Sequence, residues 1–340
     1  MQPLGDYFNA RVVLVTAVAS LVVTLLLPSA GAAMTQARNN NGASGTESSV
    51  NAQSTAPVPI GGGWIRFDFG AAGSVAGPFT FSSRTPVVLS ITDIACLGDR
   101  FDILDHGSVA SVTSTPALPS ECVPPLRTEE PRPAFYQGLY SAGMQLLRPG
   151  AHEITIRVRT SPFGSGGAFL RVDACTRFLT QPGRLTGTAG NDTLCGSPGN
   201  DVISGGAGND RIAGGRGADL LRGALGADAI AGGRESDLLT GQDGTDRLFG
   251  DVGTDLVAGG TGRDGISGGA SSDALYADRG LTNVVVGDAG ADSLFGGFGD
   301  DLLSGSRGND LLRGAGGTDR CVGGSGVDAA VACESLQGIP

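Results

Sequence analysis

The chain has 340 residues with 23 arginines, no lysine and a formal net charge of −11. Residues 183–340 contain twenty Asp, two Glu and eleven Arg and so carry the whole −11, whereas residues 1–182 sum to zero. This acidity argues against a nucleic-acid partner, and the 58 glycines lack the three-residue period of collagen.

The first residues have the pattern of a targeting segment. Arg11 precedes an apolar run over residues 12–27, Pro28 ends the run, and Ala30-Gly31-Ala32 offers a small-residue cleavage site. This pattern predicts a secretory signal peptide over residues 1–32. An uncleaved anchor is the alternative, although sixteen apolar residues are short for a spanning helix. We expect a secreted protein with no membrane span after signal cleavage.

Residues 33–60 are rich in Asn, Ser, Thr and Gly and are predicted to form a flexible linker. From residue 61 to 178 apolar and polar side chains alternate in short runs. Ile65, Phe67 and Phe69 are one such set, and the others are Val87, Leu89 and Ile91, then Ile154, Ile156 and Val158. This alternation predicts an antiparallel β-sandwich that is large enough for its own core.

The segment 93–107 is the densest polar stretch of the predicted sandwich. With residues 147–156 it resembles a motif of uncharacterised secreted β-sandwich proteins, and this resemblance implies no known activity. Asp93, Asp99 and Asp105 could form a Ca²⁺ site at one end of the sandwich. The favoured alternative is that these three carboxylates are ordinary turn and edge residues.

Aspartates recur every nine residues in the C-terminal half. One residue, inserted between 276 and 282, separates two runs, and Asn283 takes the aspartate position after it. We expect a kink or bulge there that splits the repeat into two segments. The ladder residues are Asp192, Asp201, Asp210, Asp219, Asp228, Asp237, Asp246, Asp255, Asp264, Asp273, Asn283, Asp292, Asp301, Asp310, Asp319 and Asp328.

Each nine-residue unit is a Gly-rich turn followed by a three-residue strand with one apolar residue at its centre, as in residues 205–213. A fixed short period is typical of a solenoid. Two units would complete one coil, and aspartates of alternate units would stack about 4.8 Å apart. Carboxylates this close require a cation, and an all-oxygen ligand set favours Ca²⁺. The alternative is that the aspartates are turn residues of a metal-free solenoid.

The tract from about residue 185 to 328 resembles the RTX, or haemolysin-type, calcium-binding repeat, whose nonapeptide is Gly-Gly-x-Gly-x-Asp-x-U-x with U apolar. The resemblance implies a parallel β-roll over residues 183–330 that binds several Ca²⁺ ions between turns, through the ladder aspartates and backbone carbonyls. Glu235, Ser271 and Leu281 replace the glycine two residues before Asp237, Asp273 and Asn283, which puts these three sites in doubt.

Secretion favours disulfide bonds between the six cysteines. Six cysteines allow fifteen connectivities, and sequence order favours local pairs. The expected pairs are Cys96 with Cys122, Cys175 with Cys195, and Cys321 with Cys333. The last of these would join the final repeat to a tail at residues 331–340.

No catalytic constellation is recognisable. The two histidines, His106 and His152, have no partner at metal-binding spacing, and Gly265-Ile266-Ser267-Gly268-Gly269 matches the Gly-x-Ser-x-Gly elbow only inside a repeat. The sequence therefore predicts a secreted, non-enzymatic calcium-binding protein that folds on binding the metal. The alternative is a secreted hydrolase or carbohydrate-binding protein whose sandwich binds a glycan or a cell-surface ligand. An adhesive solenoid also remains open.

Overall fold

The computed structural model describes residues 57–93, 99–113, 142–161, 166–280 and 282–339. These ranges contain strands and turns only, which confirms the all-β prediction. Within them, no helix is long and apolar enough to cross a membrane. The predicted signal peptide, most of the predicted linker and the predicted Cys96–Cys122 pair lie outside the described residues.

The N-terminal part consists of two four-stranded antiparallel sheets. Sheet A has the strand order β1-β8-β3-β6, and sheet B has the order β2-β7-β4-β5. The strands are β1 (Ile65–Phe69), β2 (Val75–Ser83), β3 (Val87–Asp93), β4 (Arg100–Asp105), β5 (Ser108–Val112), β6 (Ala142–Leu147), β7 (Gly150–Thr160) and β8 (Gly166–Ala174).

The core of this sandwich is formed by the alternating residues that the sequence indicated. In β7, for example, Ile154, Ile156 and Val158 are at most 1% exposed. Such alternation buries one face of each sheet against the other. In sheet A the second face is buried as well, because Val88, Ser90 and Thr92 of β3 are 0% exposed. The core begins earlier than expected, because Val58 is buried and its N–H donates to the Thr80 carbonyl over 2.8 Å.

The C-terminal part is a parallel β-roll with two long sheets. Even-numbered strands from β10 to β26 form sheet D, and odd-numbered strands from β9 to β27 form sheet C. The strands are β9 (Arg177–Phe178), β10 (Arg184–Thr186), β11 (Thr193–Cys195), β12 (Val202–Ala207), β13 (Arg211–Arg216), β14 (Leu220–Leu225), β15 (Ala229–Arg234), β16 (Leu238–Gly244), β17 (Arg247–Val252), β18 (Leu256–Gly262), β19 (Gly265–Ala270), β20 (Ala274–Gly280), β21 (Val284–Ala289), β22 (Ser293–Phe298), β23 (Leu302–Arg307), β24 (Leu311–Gly316), β25 (Arg320–Ser325), β26 (Ala329–Val331) and β27 (Ser335–Gln337).

Each unit contributes one strand, and residues pair with those eighteen positions later, so two units make one coil as predicted. One apolar side chain per unit points between the two sheets, and these side chains are fully buried. They are Leu194, Ile203, Ile212, Leu221, Ile230, Leu239, Leu248, Val257, Ile266, Leu275, Val285, Leu294, Leu303, Leu312 and Cys321. The roll is therefore a stack in which each coil depends on its neighbours.

The expected division of the roll at the inserted residue is wrong. Both sheets pass the insertion without interruption, because Leu275 pairs with Leu294 and Ile266 with Val285. The offset between paired residues rises from eighteen to nineteen there and then returns to eighteen. The extra residue falls between the end of β20 at Gly280 and the start of β21 at Val284, so both ladders continue past it.

The sandwich packs on the outer face of sheet C. Met144 and Leu146 of β6 lie against Ala213, Ala231 and Phe249 of the roll in one apolar cluster. A disulfide bond between Cys175 and Cys195 joins the end of the sandwich to the first coil, and Arg211 lies 3.4 Å from Asp173. The sandwich thus covers part of sheet C of the roll.

Candidate metal centre

The ladder residues occupy the position just before each strand, and all sixteen are buried. From Asp210 onward, each Oδ1 accepts a hydrogen bond from the backbone N–H of the ladder residue one coil earlier, whereas Asp201 Oδ1 accepts the N–H of Gly183. Asp192 N–H donates to Asp210 Oδ1 over 2.8 Å, and Asp310 N–H donates to Asp328 Oδ1 over 3.0 Å. At the end of sheet C, Glu334 Oε2 accepts the N–H of Asp319 over 2.6 Å, a role that the sequence did not reveal.

The second carboxylate oxygen, Oδ2, is buried and has no hydrogen-bond partner in thirteen of these residues. A buried charged oxygen without a partner carries a large desolvation cost. The thirteen residues are Asp210, Asp219, Asp228, Asp237, Asp246, Asp255, Asp264, Asp273, Asp292, Asp301, Asp310, Asp319 and Asp328.

A glycine five residues before each of these aspartates lies beside this oxygen. A Cβ placed on Gly223 would lie 2.3 Å from Asp228 Oδ2 and 2.8 Å from the Gly241 carbonyl oxygen. A Cβ on Gly232 would lie at the same two distances from Asp237 Oδ2 and the Gly250 carbonyl. Carboxylate and carbonyl oxygens of consecutive turns therefore converge where only glycine leaves space, and such an oxygen set suits Ca²⁺.

The pKa values of the ladder carboxyls also favour a bound cation. Burial, reinforced by the charges of neighbouring carboxylates, raises the pKa of Asp237 and of Asp246 to about 8. Burial raises the pKa of Asp228 to about 6. Among the described residues no three His, Cys, Asp or Glu side chains form a metal-binding group, so each site would combine a carboxylate with backbone oxygens.

Residues 186–221, 222–257, 249–281, 280–312 and 297–329 match the family model of the RTX calcium-binding nonapeptide repeat. This segment is an RTX repeat tract.

Two kinds of solved structure resemble parts of the chain. The pre-peptidase C-terminal domain of a Bacillus anthracis collagenase is 10% identical, with 38% of this chain and 99% of that chain covered and a TM-score of 0.22. The catalytic domain of a GH87 α-1,3-glucanase, in complex with nigerose, is 9% identical, with coverages of 78% and 68% and a TM-score of 0.22. No curated protein matches the chain.

Three residues of the RTX ladder differ from the other thirteen. Asp192 Oδ2 accepts the N–H of Thr188, and Asp201 Oδ2 accepts the N–H of Ser197, each over 2.6 Å. Asn283 uses its amide nitrogen to donate to Asp301 Oδ1 over 3.0 Å. In these three units protein groups bond the side-chain atom that corresponds to the unpartnered Oδ2 of the other thirteen.

The glycine replacements noted in the sequence leave the ladder geometry intact. Glu235 and Ser271 adopt φ values of 72° and 91°, which non-glycine residues rarely accept. Asp237 and Asp273 still accept the ladder hydrogen bond, and their Oδ2 atoms remain without a partner. Leu281 lies outside the described residues.

A second polar ladder, which was not predicted from the sequence, precedes the aspartates by one residue. Asn191, Asn200 and Asn209 each accept, through Oδ1, a backbone N–H from the next coil. Their regular spacing was a usable signal, because Asn precedes Asp in four units.

The candidate acidic groups of the sandwich do not come together among the described side chains. Asp105 Oδ2 bonds His152 Nδ1 over 2.7 Å, and Asp105 Oδ1 accepts the Glu153 N–H. Asp99 is buried, and burial raises its pKa. The side chain of Asp93 lies outside the described residues.

Two of the expected disulfide bonds, Cys175–Cys195 and Cys321–Cys333, are present. The second joins β25 of the roll to the segment before β27 and so ties the tail to the last coils. Ser267, the centre of the Gly-x-Ser-x-Gly match, lies in β19 and donates its hydroxyl to Asp288. It therefore lies on a regular strand, not at a strand-to-helix turn.

Proposed function

We propose that this is a secreted calcium-binding protein whose RTX roll folds when the metal binds. The observation that carries the proposal is the row of thirteen buried Oδ2 atoms without hydrogen-bond partners. Folding without the metal would enclose these carboxylates in a low-dielectric interior with no compensating charge, which is unfavourable. Metal binding and folding are then one coupled process.

Each calcium ion would be held between consecutive turns. At one such position the ligands would be Asp228 Oδ2 and the carbonyl oxygen of Gly241, because both converge on Gly223. The ion supplies positive charge and joins two coils, while the Oδ1 hydrogen bonds hold each carboxylate in place. We assign this role to the thirteen aspartates and not to Asp192, Asp201 or Asn283.

The proposed organisation follows the predicted boundaries, signal peptide 1–32, linker 33–60, sandwich 61–178, roll 183–330 and cap 331–340, except that Val58 already belongs to the sandwich core. Two disulfide bonds support an oxidising, extracellular location, because such bonds seldom persist in the cytosol. The sandwich would then present a surface for a ligand outside the cell.

Calcium titration of the full chain, followed by circular dichroism, tests the proposal. Strand content should be low in chelator, should rise cooperatively with Ca²⁺, and should respond much less to Mg²⁺, which requires stricter octahedral geometry. Strand content that is the same in chelator and in calcium would contradict coupled folding.

Matched substitutions then identify the ligands. The double variant Asp228→Asn with Asp246→Asn should bind fewer ions and require more calcium to fold. The control, Asp192→Asn with Asp201→Asn, removes the same charge from positions whose Oδ2 is already bonded. The control should keep the ion count of the unmodified chain, and equal losses in both variants would contradict the assignment.

A further inference from the structure

A cleft of about 1010 Å³ runs between the sandwich and the roll. One wall is a row of paired roll residues on successive strands of sheet C: Arg216, Arg234, Val252, Ala270, Ala289 and Arg307. Five strand spacings separate the first and last of these, about 24 Å at ~4.8 Å each. This wall is therefore long, with an apolar middle and arginines at both ends.

The opposite wall adds three more arginines. Arg100, Arg148 and Arg159 of the sandwich line the same cleft. Arg100 lies 3.8 Å from Asp288, and Arg159 donates to Asp102 over 2.7 Å. By contrast, no described acidic side chain is within ion-pair distance of the other four cleft arginines, which are Arg148, Arg216, Arg234 and Arg307.

The carboxylates of the cleft neutralise only part of this positive charge. Asp288 is held by Arg100 and by the Ser267 hydroxyl, and Glu235 Oε2 accepts the N–H of Gly217 over 2.7 Å. Asp251 is the only other carboxylate among the described lining residues. Six arginines thus face three acidic groups in a chain whose net charge is −11. A polyanion that is repelled elsewhere would meet a favourable potential here.

We propose that this cleft binds one extended strand of an acidic polysaccharide. Guanidinium groups bind carboxylate and sulfate groups through paired hydrogen bonds, and the apolar middle can cover the less polar faces of sugar rings. An acidic peptide fits less well, because the backbone of the roll wall is already paired in the sheet. The inference rests on the calcium-dependent fold proposed above, since the roll supplies one wall.

Binding of labelled polysaccharides to the full chain in calcium tests the proposal. Polygalacturonate and dextran sulfate distinguish carboxylated from sulfated ligands, neutral dextran controls for the sugar backbone, and poly-glutamate represents an acidic peptide. Dialysis to a fixed free calcium concentration removes the effect of chelation by polygalacturonate. At least one anionic polysaccharide should bind, with an affinity that falls as salt rises, and neutral dextran should not.

The decisive comparison uses two double variants of equal charge. Arg216→Gln with Arg234→Gln should weaken polysaccharide binding by about tenfold or more, as expected when paired charged contacts are lost. The control is Arg222→Gln with Arg313→Gln, because Arg222 and Arg313 lie on sheet D. This variant should change polysaccharide binding less than about twofold. Equal effects of both variants, no binding of either polyanion, or equally tight binding of poly-glutamate would overturn the proposal.

Circular dichroism in calcium distinguishes failure of the polysaccharide proposal from failure of the proposed calcium-coupled folding. A chain that gains no strand content in calcium contradicts the coupled folding and, with it, this cleft. A folded roll that binds no polyanion contradicts the cleft alone.

Discussion

At each of the thirteen proposed sites, the glycine five residues before the aspartate leaves the space that a cation would occupy. At Gly223 the nearest atoms to an added Cβ are Asp228 Oδ2 at 2.3 Å and the Gly241 carbonyl oxygen at 2.8 Å. The contact is with the candidate ligands themselves, so a methyl group there would exclude the ion.

We therefore expect Gly223→Ala to remove bound calcium and to raise the calcium concentration needed for folding. The measurement is ion stoichiometry by equilibrium dialysis, together with the dichroism midpoint. Gly316→Ala is the matched control, because an added Cβ there meets nothing closer than Phe298 at 3.5 Å, and neither glycine has a positive φ. Unchanged ion binding in Gly223→Ala would exclude this position as a ligand site.

At the residue scale the sequence predicted all the ladder residues. It could not distinguish the thirteen aspartates whose Oδ2 has no partner from Asp192, Asp201 and Asn283. Thr188 and Ser197 direct their N–H groups at Asp192 and Asp201. Ser306 occupies the equivalent position before Asp310 but has a φ of 76°, and Asp310 Oδ2 has no partner. The same residue type thus takes two backbone conformations. That difference depends on the surrounding coils and is not visible in nine residues.

At the scale of the coil, the raised pKa values predict how protons act on the metal-free roll. The carboxyls of Asp237, Asp246 and Asp273 have pKa values of about 8 when buried in the roll, against about 4 for an unfolded aspartate. The folded state therefore holds protons more tightly. This contribution to stability is complete below pH ~4 and is lost as pH rises through ~8.

In chelator, strand content should therefore increase as the pH is lowered from 8.5 to 5. In calcium, the same change should weaken metal binding, because protons compete for the carboxylates. Dichroism at several pH values, with and without calcium, measures both effects. Strand content that does not respond to pH in chelator would contradict the buried, unneutralised state of the ladder.

At the scale of strands and coils, some features of the roll could be predicted from the sequence and others could not. The nine-residue period predicted the strands, their alternation between two sheets and the buried residues such as Ile212 and Leu221, because each is a local property of the unit. The split into two segments that was expected near Asn283 is absent, because both sheets continue past it. An inserted residue breaks a strand ladder only when it falls within a strand. The sequence alone did not show that the extra residue lies between two strands.

At the scale of the whole molecule, the sandwich acts as a cover for sheet C. Phe249 is 2% exposed beneath it, and the Arg247 guanidinium lies 4.8 Å from its ring centre. Sequence periodicity could not predict this contact, because the residues on both sides belong to distant segments. The arginine cleft was hidden for the same reason.

We expect Phe249→Ala to destabilise the calcium-bound protein by about 3–5 kcal/mol, which is typical of removing a buried phenylalanine. Phe298→Ala removes the same side chain from a position that is 67% exposed and should cost less than about 0.5 kcal/mol. Denaturant unfolding in saturating calcium measures both. Similar losses in the two variants would contradict the tight packing of the sandwich on the roll.

Successive units alternate between two sheets, and this limits which insertions and deletions in the roll preserve its two faces. Loss of nine residues from the middle of the roll would move every later unit to the opposite face, so that Arg307 would leave the cleft. Loss of eighteen residues would remove a whole coil and leave each remaining side chain on its original face. Duplication or deletion of whole coils would therefore lengthen or shorten the cleft and would leave every remaining side chain on its original face.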